Sequence, residues 1–199
     1  MNAALRLPGP VGIFCLGVLQ IMVWGGSFFI LAVMGEPILR ETGWDGHWVY
    51  GALSLSLMVS ALLAPLASRL VVRYGGRLQM AASGIVVGAG LLIVGNANSL
   101  QVFLLAWVVI GVGMAIGLYE ALFATLGALY AERAGSAITG ITLISGFATT
   151  ITWPLVAFAI EQFGWRVTCT AYALMLIVVV APLYLSLIHI SEPTRRYAI

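Results

Sequence analysis

The chain has 199 residues, 62% of them hydrophobic and 8% charged, with a formal net charge of +2. So little charge cannot cover a water-soluble domain of this length, which leaves lipid as the solvent for most of the chain. The small net charge and the absence of any basic run argue against a nucleic-acid partner.

Six apolar spans are predicted at residues 11–34, 48–67, 78–94, 100–122, 137–160 and 167–184, the fourth with a continuation to 130 left open. About 20 apolar residues let a helix cross a hydrocarbon core of about 30 Å. The spans are predicted to be helices because backbone in lipid must satisfy itself and none of them alternates like a barrel strand. The first is too long for the core of a secretory signal, which runs to about 7–15 residues. Arginines accumulate at one set of span ends, with Arg6, Arg69, Arg73, Arg77 and Arg133 against Arg40 and Arg166 on the other. The positive-inside rule therefore predicts a cytoplasmic N-terminus, with Trp44, Trp48 and Trp165 at the outer boundary.

Within span one, Gln20 and Trp24 lie one turn apart and could present an amide and an aromatic wall to a solute. Packing through Gly25 and Gly26 explains them equally well. Glu36 and Arg40 read as a solvated surface pair. Span four carries Tyr119 and Glu120, the one acid placed within a span. A carboxylate there costs a few kcal/mol unless it is paired or hydrated. It is predicted to carry a proton or touch solute, the alternative being a structural hydrogen bond. In span five the spacing of Thr142, Ser145 and Thr149 puts three hydroxyls on one face. They would line the pathway, or bond their own backbone. Trp153 and Pro154 are predicted to end or kink that helix. Cys15 and Cys169 fall near opposite leaflets, too far apart for a disulfide. Phosphate-loop, dinucleotide and metal-ligand patterns are absent, so no cofactor or metal is expected.

Between spans two and three, residues 68–77 read Ser-Arg-Leu-Val-Val-Arg-Tyr-Gly-Gly-Arg. This segment resembles the loop signature G-x-L-A-D-R-x-G-x-R of the major facilitator superfamily, with Leu70, Arg73, Gly75 and Arg77 in matching positions. Ser68 replaces the usual glycine and Val72 the usual acid. In that family the acid and arginines form a cytoplasmic charge cluster that locks the outward-facing state. With Val72 here the lock lacks its carboxylate, and Glu132 stands as a substitute partner. The stretch from Gly51 through Pro65 to Arg77 is most similar to the monocarboxylate and oxalate–formate branch.

The resemblance implies an all-α integral membrane bundle of six helices, half of a twelve-helix fold, working by alternating access in the cell inner (plasma) membrane. Its partners would be the lipid bilayer, a small-molecule solute, a proton or other coupling ion, and a missing C-terminal half. Residues 185–195 resemble a conceptual translation of a sequencing-library adapter. Residues 185–199 are therefore expected to be a non-native tail on a chain that naturally continues. The alternative is a complete six-span protein of another class, an assembly factor or an intramembrane enzyme.

Overall fold

The computed structural model describes residues 9–130 and 134–189. Among these, every regular element is helical. In chain order they are α1 (Pro10–Trp24), a π-helical turn (Gly25–Phe29), α2 (Ile30–Thr42), α3 (Gly46–Tyr74), α4 (Gly76–Gly95) and α5 (Leu100–Gly117). Then follow α6 (Tyr119–Tyr130), α7 (Ala134–Ser145), α8 (Ala148–Met175), a second π-helical turn (Leu176–Val180) and α9 (Ala181–His189). They form five continuous apolar runs long enough to cross a bilayer: Pro10–Thr42, Gly46–Val71, Gly76–Gly95, Leu100–Gly127 and Ala134–Leu187. The last has 54 residues, about 80 Å of helix at 1.5 Å per residue. It is broken at Gly164, where φ is 79° and ψ 161°.

Several predicted boundaries move, for one reason: hydropathy marks where lipid ends, whereas a helix ends where its backbone turns. The first run continues past Met34 and through Pro37 to Thr42, where Gly43 takes a left-handed φ of 66°. Span two continues through Leu70 and Arg73 to Tyr74. The expected loop is a one-residue corner at Gly75, with φ 82°, and Arg77 already lies in the first turn of α4. Pro154 does not end its helix, which runs on to the Gly164 break. The interruption lies earlier, at the turn of Gly146 and Phe147. Thr149 therefore sits beyond that break, on α8, and does not continue the α7 face of Thr142 and Ser145.

Lipid tails are as apolar as leucine, so close approach rather than water exclusion must hold these helices together. Small residues permit it. α4 packs against α5, α8 and α9. A Cβ on Gly88 would stand 2.9 Å from the Ala173 carbonyl and 2.6 Å from the Ile177 side chain. Where α3 crosses α5, a Cβ on Gly111 would stand 2.6 Å from the Ser56 carbonyl. Ser56 Oγ donates to the Trp107 carbonyl at 2.6 Å, locking the same crossing. Trp107 and its α5 neighbour Phe103 are both fully buried.

The end of the bundle that holds Gly43, Gly95 and Gly164 is tied by a polar knot. Glu41 accepts from Trp165 Nε1 at 2.6 Å and from Arg166 Nε at 2.8 Å. Arg166 Nη1 donates to the carbonyls of Gly95 and Ala97 at 3.2 and 2.9 Å, and its guanidinium lies 4.2 Å over the Trp165 ring. One carboxylate thus joins the end of α2 to the α4–α5 turn and the far side of the Gly164 break. Nearby, the Asp45 carboxylate accepts from the His47 amide at 2.7 Å and caps α3. That backbone bond and the His47 ring stabilise the carboxylate and hold its pKa below the ordinary value of 3.8.

Candidate functional site

Two helical irregularities frame the centre of the bundle. In run one the helix widens into the π turn Gly25–Phe29, a feature common at functional sites. Tyr172 Oη donates to the Met22 carbonyl there at 2.9 Å, and its ring occupies the space a Cβ on Gly26 would need. In run four the helix breaks at Leu118, whose φ of −80° and ψ of −171° are extended. Discontinuous helices at mid-membrane are where transporters place solute and ion sites.

Three of the residues singled out from sequence meet between these irregularities. The Trp24 and Tyr119 rings lie 4.9 Å apart, and Tyr119 Oη is 2.6 Å from Ser145 Oγ. Runs one, four and five converge on that contact. Trp24 Nε1 is buried with no hydrogen-bond acceptor among the described residues, so a donor stands free beside the pair. Phe28, Phe29 and Phe123 complete the aromatic wall, Phe123 stacked on Tyr119 at 5.2 Å. Sequence reasoning passed over Phe123, although its i+4 spacing from Tyr119 was a usable signal.

Gln20 is fully buried. Its Nε2 donates to the Gly117 carbonyl at 3.1 Å and to Tyr184 Oη at 3.3 Å, and its Oε1 has no partner among the described residues. The amide is thus committed to the helix break in run four. Tyr184, like Gln20, has no exposed surface. No motif announced it.

Glu120 lies in the first turn of α6, exposed and with no hydrogen bond or ion pair among the described residues. Thr142 is exposed and donates to its own Ile138 carbonyl at 2.8 Å, while Ser145 also donates to Ile141 at 2.6 Å. Thr149 is half-buried. At the Gly75 corner Leu70 is half-buried and Arg73 is exposed, 5.2 Å from the Tyr74 ring. Arg77 Nε is buried and unpaired among the described residues. Glu132 lies outside those residues. Gln79 is 7% exposed, and neither of its amide atoms has a partner among them. Leaving such a group buried and unpaired costs about 1–3 kcal/mol.

A separate cavity of about 660 Å³ opens at the Gly43 end between α2 and α8, lined by Val33, Glu36, Arg40, Glu41, Ile160 and Glu161 among others. It shares no residue with the aromatic centre. Glu36 and Arg40 form the expected pair across its mouth, 3.2 Å apart and largely exposed.

The long apolar helical runs are those of a multi-pass membrane protein. The chain belongs to the Major Facilitator Superfamily, whose family model matches residues 15–198. It is 35% identical over 125 residues to Monocarboxylate transporter 3 of Rattus norvegicus, covering 61% of this chain and 24% of that protein. Over 121 residues it is 31% identical to Monocarboxylate transporter 12 of Xenopus laevis, covering 60% and 25%. The chain thus spans about a quarter of the length of the curated relatives it matches. These similarities agree with the monocarboxylate branch and point to a transporter, not an enzyme.

Proposed function

We propose that this chain is the N-terminal six-helix half of a secondary transporter that moves a small monocarboxylate by alternating access in the cell's plasma membrane. The carrying observation is the Trp24–Tyr119–Ser145 contact, where three runs bring a free indole donor, a phenol and a hydroxyl together beside a π turn and a helix break. A carboxylate accepts hydrogen bonds only, which suits the free Trp24 indole N–H. The names of the relatives supply the solute class. The count of six is supported by the length of the last run and its Gly164 break, which fits two crossings better than one.

Glu120 is the coupling residue in this reading. A carboxylate within the apolar run Leu100–Gly127 needs water or a partner beyond the described residues, and a second half facing it would supply either. In proteoliposomes holding the full-length transporter, Glu120→Gln is expected to lower gradient-driven lactate or pyruvate accumulation at least tenfold. Melting temperature should stay unchanged, and Thr149→Val should remain near the parent. This 199-residue chain alone is expected to show no saturable uptake. Accumulation by Glu120→Gln at the parent's level would sink the coupling role.

Orientation rests on the arginines at the Gly75 corner. With Cys15 and Cys169 replaced, single cysteines at Tyr74 and Asn98, both exposed, are expected to react with impermeant maleimide from the cytoplasmic and outer sides respectively. The reverse pattern would overturn the topology.

A further inference from the structure

We infer that Leu118 is the hinge of a gate formed by α6, and that Gln20 is the positioning residue that pins this gate shut. The inference deepens the transporter reading, since it gives the pathway a moving part. At the hinge the backbone is extended, and the Gly117 carbonyl is taken by Gln20 Nε2 from another run, 97 positions away in sequence. A side chain therefore does locally what the next turn of helix would do in an unbroken span. Beyond the hinge, α6 is held by Tyr119 Oη against Ser145 Oγ and by Thr125 seated in the space left by the missing Cβ of Gly76.

The closed packing carries a built-in flaw. Gly76 and Ser83 of α4 mark the face turned toward Thr125 and Gly117. Gln79 lies three residues after one and four before the other, on the same helical face. It is buried there with its amide oxygen and nitrogen both unpartnered, and the Nε of neighbouring Arg77 is buried and unpaired as well, among the described residues. Swinging α6 away about Leu118 would give water to the Gln79 amide. The pinned state thus has strong local ties and an unsatisfied interface beneath them, an arrangement that favours two positions over one.

The test needs no solute, so its failure is separable from failure of the transporter reading. In the 199-residue chain with Cys15→Ser and Cys169→Ala, held in lipid nanodiscs, Thr125→Cys replaces a residue that is 2% exposed on the gate's inner face. Its maleimide labelling should be slow. Adding Gln20→Met, which keeps the volume and removes the donor, is expected to speed labelling at least fivefold with helical content retained. Adding Gln79→Leu, which removes the unsatisfied amide, is expected to slow it at least fivefold. A merely structural Gln20 would change thermal stability without these opposed shifts. Should Gln20→Met fail to fold, Ser145→Ala releases the second tie and is expected to accelerate labelling in the same way. Equal labelling rates in parent, releasing variant and Gln79→Leu would overturn the gate.

Discussion

Gly111→Val is expected to abolish the native bundle, and Gly51→Ala to leave it intact or slightly firmer. At Gly111 the first added carbon would stand 2.6 Å from the Ser56 carbonyl and 2.9 Å from its Cα. Those are backbone atoms of a neighbouring helix and cannot rotate away, so α3 and α5 must separate. Separation also breaks the Ser56 to Trp107 hydrogen bond. Overpacking of this kind costs about 1–3 kcal/mol and occasionally more, and backbone against backbone belongs at the upper end. Gly51 has open space within 4 Å of its Cβ position. Alanine there gains helix propensity of up to about 1 kcal/mol over glycine. Thermal unfolding in detergent, followed by circular dichroism and size-exclusion profile, checks both. A Gly111→Val protein melting with the parent would show that the α3–α5 crossing does not hold the bundle.

Glu41→Leu is expected to destabilise the protein by about 1–3 kcal/mol, whereas Glu36→Ala should change stability by less than about 0.5 kcal/mol. Both residues are glutamates on α2 facing arginine. Environment separates them. Glu36 and Arg40 are 61% and 73% exposed, so water screens their attraction. Glu41 receives the indole of Trp165, which is only 2% exposed, and loss of the carboxylate strands that N–H away from water. Its bond to Arg166 adds less, because those side chains are 51% and 33% exposed. Glu41→Gln keeps an acceptor for the indole and should recover most of the difference. Equal melting points for Glu41→Leu and Glu36→Ala would remove the knot from any account of stability.

What the sequence made legible followed from bulk properties. Lipid as solvent and helix as the regular element of the described residues come from composition and length, which average over many residues. The superfamily came from four residues at one corner, Leu70, Arg73, Gly75 and Arg77, because a tight turn next to charge constrains each position separately. The interior of the centre was harder. Trp24, Tyr119 and Ser145 could each be named, but their meeting depends on the Leu118 break and the Gly25–Phe29 π turn. Neither leaves a mark in hydropathy, and both shift the phase on which facing residues are judged. Glu41 was overlooked because a glutamate beside Thr42 at a span end looks like any solvated charge. Its role appears only when Trp165, 124 positions later, folds against it. Thr149 failed as a partner of Ser145 for a similar reason, since a turn at Gly146 lies between them.

The two π turns have a mechanical meaning. A π turn holds one residue more than the α-helix around it needs, so Pro10–Thr42 carries a spare residue at Gly25–Phe29 and the last run another at Leu176–Val180. They are neighbours: a Cβ on Gly26 would stand 3.1 Å from the Leu176 side chain. A spare residue can migrate along a helix by local exchange of hydrogen bonds, and each segment it passes slides by one residue of rise, about 1.5 Å. Moving the spare residue within run one would therefore slide only the segment it passes, between Gln20 and Glu41, while the backbone stays bonded.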